Sequence, residues 1–261
     1  MDLKKLARDV AHIARQAGEA ILEVYAQAEG MEIERKSDDS PLTLADRRSN
    51  AVICAGLEQL THRFPIVSEE NKEIPFEQRR TYEFHWLVDP LDGTKEFIKR
   101  NGEFTVNIAL IHKDHPVLGV VYVPVTDELY WAGRGVGAYL IQNGREQRIR
   151  SAEFQLHDSG LHLVCSRSHL NEETQAFVDR FQAPELVSKG SSLKFLLLAK
   201  GEAHVYPRLA PTMEWDTGAA QVILEEAGGQ VIDENTGRSL RYNKEVLLNP
   251  SFVAYGTIVE S

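Results

Sequence analysis

The sequence is poor in sulfur, in basic charge and in long apolar runs, and each shortage excludes something. Its 261 residues hold two cysteines, Cys54 and Cys165, far apart and outside any C-x-x-C pair. A disulfide framework and a zinc site of clustered thiolates are thereby excluded, and two buried free thiols in a reducing compartment are expected. No apolar stretch approaches the roughly eighteen residues that a membrane span requires, so no transmembrane segment is predicted. Lys plus Arg number 29 against 39 for Asp plus Glu, a net charge of −10. A surface that acidic repels phosphate backbones, which argues against a nucleic-acid polymer or an anionic membrane as partner. A local basic pocket for one small anion is compatible with it. No internal repeat or low-complexity tract is visible.

What is present is ordinary globular material. Hydrophobic residues make up 43% and charged residues 26%, enough apolar surface to build a core and too much for disorder. Leu3, Leu6, Val10, Ile13, Ala17, Ile21 and Val24 recur at helical spacing, so the N-terminus reads as an amphipathic helix and not as a signal peptide. The expected location is the cytoplasm, in solution or peripheral on the cytoplasmic face of the membrane. A polar stretch over 36–41 leads to a second helix expected to start near Thr43. Two short apolar runs, 65–68 and 85–88, each end in acidic residues and read as strands. From Phe104 to Ile141 four apolar runs separated by turn residues suggest antiparallel hairpins. After about residue 150 helices and strands alternate, which favours an α/β layer arrangement. The division expected is an α+β part over 1–150 and an α/β part over 151–261, within one compact unit.

The chemistry concentrates in three places. Asp89-Pro-Leu-Asp-Gly-Thr94 follows an apolar strand, with two carboxylates three positions apart. Pro90 restricts the backbone and is expected to force a turn that aims Asp89 and Asp92 at one point. Gly93 permits close backbone approach, and Thr94 is placed to open a helix whose free N–H groups favour phosphate. Asp92-Gly93 alone would pass for a surface turn; the whole string is far more specific. Ser68-Glu69-Glu70 also follows a strand, and alone it reads as a solvated loop. The third place is Trp215-Asp216-Thr-Gly-Ala-Ala, where Asp216 occupies an expected N-cap position ahead of a small-residue helix face that ends at Gly228-Gly229. If Glu69, Asp89, Asp92 and Asp216 converge, their repulsion demands cations. Oxygen ligands without His or Cys point to Mg²⁺ or Mn²⁺, two ions of which would flank a phosphoryl group.

These strings, in this order and spread over nearly the whole chain, resemble the inositol monophosphatase superfamily of Mg²⁺-dependent, lithium-sensitive phosphomonoesterases. Ser40-Pro-Leu-Thr-Leu-Ala-Asp46, the long run from Asp89 to Leu110, and Gly190-Ser-Ser-Leu-Lys-Phe195 with Tyr206-Pro-Arg208 most resemble its CysQ-type 3'(2'),5'-bisphosphate nucleotidases. The resemblance implies a layered αβαβα sugar-phosphatase fold and removal of the 3'-phosphate of adenosine 3',5'-bisphosphate by a metal-activated water, in sulfur metabolism. It implies that Glu69, Asp89, Asp92, Asp216 and the Leu91 carbonyl hold two or more Mg²⁺ ions. Gly93 and Thr94 match the phosphate-holding turn, and Asp46 with Thr94, beside Glu69, match the catalytic groups that orient and deprotonate the water. By spacing alone, Asp46 reads as the acid of a capping box with Thr43. His169, Ser191, Lys194 and Arg208 fall where related nucleotidases touch the nucleotide. Lys194 and Arg208 would supply the positive charge that an acidic protein needs for a second phosphate. Two other readings stand beside this one: an inositol-phosphate or sugar-phosphate phosphatase, and a regulatory member that binds macromolecules.

Overall fold

The computed structural model describes residues 1–27, 41–165 and 172–260. Seven strands form one sheet in chain order: β1 (Ile66–Ser68), β2 (Phe84–Asp92), β3 (Thr105–His112), β4 (His115–Val123), β5 (Glu128–Gly133), β6 (Gly137–Gln142) and β7 (Arg145–Ile149). Only β1 and β2 run parallel; the rest is an antiparallel meander. β8 (Glu153–Phe154) pairs with β15 (Thr257–Ile258). The second sheet has the order β10-β9-β11-β14-β12-β13. Its strands are β9 (His162–Cys165), β10 (Glu185–Ser188), β11 (Val205–Arg208), β12 (Gln230–Asp233), β13 (Arg238–Ser239) and β14 (Phe252–Tyr255). The helices are α1 (Leu3–Gln27), α2 (Pro41–Glu58), α3 (Phe76–Arg79), α4 (Thr94–Ile98), α5 (Glu172–Val178), α6 (Leu193–Ala199) and α7 (Gly218–Glu226). No described helix is long and apolar enough to cross a membrane.

Strand alternation sets the layers. On β2, Trp86 and Val88 face one way and pack with Leu6, Val10 and Ile21 of α1 and Ile53 of α2. Leu87 faces the other way and packs with Ala109, Leu196 of α6 and Ile223 of α7, together with Val164, Val231 and Ala254 of the second sheet. The far face of that sheet, through Leu163, Val205 and Val253, packs on Phe177 and Val178 of α5. The order is therefore helix, sheet, helix, sheet, helix, and the central strands are apolar on both faces because both are covered. α7 lies directly on β4: a Cβ at Gly119 would collide with the Ala219 carbonyl, so glycine and alanine there permit the close approach.

Several local expectations need correction. α2 begins by Pro41, ahead of Thr43. Cys165 is buried, but Cys54 is only half-buried. β7 and α3 carry too few apolar residues to have announced themselves. Two further corrections, at Pro90 and Asp216, concern the site.

Candidate active site

Pro90 does not make a turn. β2 continues through it to Asp92, and Asp89 pairs with Asn107 while Asp92 pairs with Thr105, so β2 carries one residue more than β3 between these rungs. Residues three apart on a regular strand point to opposite faces; the extra residue of a β-bulge restores them to the same side. Proline suits the bulge because no ladder bond needs its missing N–H. The bulge is pinned from α2, where the Ser49 hydroxyl donates to the Pro90 carbonyl at 2.8 Å, and from within, where the Leu91 N–H donates to Asp89 Oδ1 at 3.0 Å.

Asp216 is not an N-cap. It closes a 3-10 turn, Glu214–Asp216, and α7 starts after Thr217, whose side chain makes no cap bond. The Asp216 carboxylate reaches back instead and accepts the Met213 N–H at 2.8 Å. That turn brings it to the bulge, where carboxylate oxygens of Asp89, Asp92 and Asp216 lie within 4.8 Å of one another. Burial and mutual repulsion raise the pKa of each. Asp89, 1% exposed, is raised well above the ordinary range by burial, then by Asp92, Glu69, Asp216 and Asp46. Burial and Asp216 push Asp92 up to about 7, and burial and Glu69 push Asp216 up to about 6. Glu69 is exposed at the end of β1 and lies outside the tight trio, yet its charge is felt by Asp89 and Asp216. Asp46 is buried on α2, and its charge is felt by Asp89. Crowded carboxylates raised in this way, with oxygen donors only, fit a hard divalent cation.

A cavity of about 280 Å³ opens from Asp92 and Asp216 and is lined by Gly93, Thr94, Ser191, Lys194 and Arg208. Gly93 adopts φ 95°, and with Glu103 O and Ser191 Cβ about 3 Å from where a Cβ would sit, only glycine fits. Thr94 begins α4 at the cavity edge. Lys194 is buried, which pulls its ammonium pKa down against the upward pull of Asp92; its Nζ donates to the Ser191 carbonyl at 2.7 Å. Arg208 Nη2 donates to the Pro211 carbonyl at 3.0 Å. Of the expected site residues, His169 alone lies outside the described residues.

Sequence reasoning missed the groups that back the carboxylates. Asp92 Oδ2 accepts the Ser192 N–H at 2.6 Å and the Asn107 amide at 3.5 Å. The buried Ser192 hydroxyl donates to Asn107 Oδ1 at 2.9 Å and lies 2.8 Å from the Thr105 hydroxyl. One signal was available: Asn107 interrupts an apolar run on a strand buried on both faces, where a polar residue must have a partner.

The inositol monophosphatase family model matches residues 2–260. The 3'(2'),5'-bisphosphate nucleotidase CysQ of Salmonella typhimurium is 47% identical over 249 residues, covering 95% of this chain and 98% of that protein. Its counterpart in Escherichia coli K12 is 45% identical over 245 residues, covering 93% and 96%. Among solved structures, CysQ from Bacteroides thetaiotaomicron superposes with a TM-score of 0.88 at 42% identity, over 98% of each chain. An inositol monophosphatase from Anabaena superposes with a TM-score of 0.74 at 23% identity, over 98% of this chain and 92% of its own, and shares the fold.

Proposed function

The chain belongs to the inositol monophosphatase family, and from that premise we propose a 3'(2'),5'-bisphosphate nucleotidase that hydrolyses the 3'-phosphate of adenosine 3',5'-bisphosphate, releasing AMP and phosphate. The observation that carries this reading is one cavity shared by the acidic trio's Asp92 and Asp216 and by two cations, Lys194 and Arg208. A phosphomonoester needs the acidic side; a second phosphate on the same substrate needs the cationic side.

Enzymes of this family are metal-dependent, and Mg²⁺ is the ion this donor set suits best. Asp89, Asp92, Asp216, Glu69 and the Leu91 carbonyl would hold it. Bound there, it supplies charge neutralisation for the phosphoryl group and a lowered pKa for water. The protein supplies the rest. Asp46 and Thr94 orient the attacking water, and Asp46 accepts its proton. The backbone at Gly93 and Thr94 holds the phosphoryl oxygens in place. Lys194 and Arg208 exchange main-chain carbonyl partners for the oxygens of the second phosphate, fixing the nucleotide so that its 3'-phosphate meets the acidic centre. Ser191, which lines the same cavity, completes the nucleotide side, and the family resemblance adds His169 to it. No cysteine or serine is needed as a nucleophile.

A substrate panel with Mg²⁺ tests the reading. Adenosine 3',5'-bisphosphate is expected to exceed inositol 1-phosphate in kcat/KM, with inhibition by lithium. The reverse order would assign an inositol-phosphate or sugar-phosphate phosphatase on the same scaffold.

A further inference from the structure

Two stretches that flank the acidic centre both line a second cavity. The loop leaving β1 carries Glu69 and ends near Ile74; the turn over 213–216 carries Asp216. Between them lies a space of about 290 Å³, lined among others by Val67, Ile74, Met213, Trp215 and Leu247. Ile74 and Trp215 each pack on the shared core, but side chains of the two stretches do not fill the space between them. Backbone bonds anchor each stretch separately, the Glu69 N–H to the Val88 carbonyl at 3.1 Å and the Glu214 N–H to the Leu247 carbonyl at 2.9 Å, and a side-chain tie joins the two.

Arg79 of α3 makes that tie. It is 1% exposed, and among the described residues its hydrogen-bond acceptors are amide and carbonyl oxygens, with no carboxylate. Nε donates to the Ile74 carbonyl at 2.9 Å, at the end of the Glu69 loop. Nη1 donates to Asn243 Oδ1 at 3.0 Å and to the Lys244 carbonyl at 3.1 Å, and Nη2 to the Glu245 carbonyl at 3.1 Å. The Asn243 amide donates back to the Arg79 carbonyl at 3.0 Å. Segment 243–245 is gripped in turn by Glu214, which is fully buried. Glu214 accepts the N–H groups of Asn243 at 2.7 Å and Lys244 at 3.1 Å, and the Lys244 ammonium at 2.6 Å. Glu214 opens the turn that Asp216 closes. A continuous chain of hydrogen bonds thus joins the Glu69 loop to the Asp216 turn around the cavity. A rigid guanidinium fork addresses both directions at once, which an ammonium on a flexible stem does not.

From this geometry we infer that Arg79 is a positioning residue: it sets the separation of Glu69 and Asp216, and with it the affinity of the acidic centre for a divalent cation. The inference rests on reading that centre as a metal site. Groups bonded directly to metal ligands cost about 10- to 100-fold in metal affinity when removed, and Arg79, one step further out, belongs at the low end of that range.

The test is calorimetric titration of Mg²⁺ into the full chain and its Arg79→Lys, Arg79→Ala and Asn243→Gly variants, beside kcat at saturating Mg²⁺. Asn243 has φ 57°, so glycine keeps the backbone and deletes only the two side-chain bonds. Both Arg79 variants are expected to bind Mg²⁺ about tenfold or more weakly, with kcat at saturation within about threefold of the parent. Asn243→Gly should lose about threefold in affinity, a smaller share because its two side-chain bonds to Arg79 go while those from Arg79 to Ile74, Lys244 and Glu245 remain. Guanidinium at millimolar concentration, far below denaturing levels, should restore the affinity of Arg79→Ala. Lower thermal stability with unchanged Mg²⁺ affinity would overturn the inference and leave Arg79 a fold residue. Should Arg79→Ala not fold, Arg79→Lys and Asn243→Gly decide by the same readout. A parent chain that takes up no Mg²⁺ would bring down the metal reading and the inference with it; binding that is equal in parent and variants brings down the inference alone.

Discussion

The two walls of the main cavity are held on different terms. The acidic wall is clamped by backbone. Asp89, Asp92 and Asp216 each accept a main-chain N–H, from Leu91, Ser192 and Met213 at 3.0, 2.6 and 2.8 Å. The cationic wall is held by single side-chain bonds to carbonyls, Lys194 to Ser191 and Arg208 to Pro211. Like charges crowded within 4.8 Å fly apart unless the chain itself restrains them. Cations that must trade one partner for a phosphate are better held lightly. One wall is built to resist repulsion, the other to exchange partners.

Breaking the acidic wall should have the largest effect. Asp89→Asn or Asp216→Asn is expected to lower Mg²⁺-dependent turnover by more than about a hundredfold, beyond the loss from a mere supporting group. Metal-free Asp89→Asn should melt no lower than the parent, since the swap removes a buried charge that the fold disfavours. Phosphate release at saturating Mg²⁺ and thermal melts in chelator check both. Near-parental turnover would remove that residue from the ligand set.

Breaking the cationic wall should discriminate between substrates. Charge-assisted hydrogen bonds are worth about 1.5–3 kcal/mol. Lys194→Ala or Arg208→Ala should therefore cut kcat/KM roughly ten- to a hundredfold on adenosine 3',5'-bisphosphate, and little on a monophosphate lacking the second group. Equal losses on both substrates would point to damage at the acidic wall.

Asn107→Ala sharpens the comparison, because it removes a partner of Asp92 and leaves every ligand in place. The half-saturating Mg²⁺ concentration should rise about tenfold while turnover at saturation holds. An unchanged Mg²⁺ requirement would mean that the Ser192 N–H alone positions Asp92.

The smallest effect is on stability. Asp92 and Asp216 move from an ordinary 3.8 up to about 7 and about 6 in the folded chain. Between about pH 4 and 7 the folded state therefore keeps protons that the unfolded state has lost, and unfolding free energy falls as pH rises through that window. Metal-free protein should melt a few degrees lower at pH 8 than at pH 5.5. Added Mg²⁺ should raise the melting point more at pH 8, where no proton competes for the carboxylates. A flat profile across that window would mean that the acidic wall carries no such strain.

Much of the acidic wall was legible locally. Asp89, Asp92 and Asp216 sit in short strings whose apolar run, proline, glycine and small-residue helix announce a strand end and a helix start, because those preferences act over a few neighbouring residues. The layer order was implied by resemblance, with apolar periodicity marking α1 and the meander from β3 to β6. What only the tertiary structure decided was direction and support. The bulge at Pro90 depends on β3 supplying one residue fewer between the paired rungs, which nothing in the Asp-Pro-Leu-Asp string records. Asp216 turned out to close a 3-10 turn because its carboxylate found the Met213 N–H, where the string alone read as a helix cap. Ser192, Asn107, Glu214 and Arg79 act across separations of 85 to 166 residues or through loops with no regular pattern. Local preference is encoded residue by residue. A hydrogen bond between distant segments exists only once the layers have packed, and so it leaves no periodic mark in the sequence.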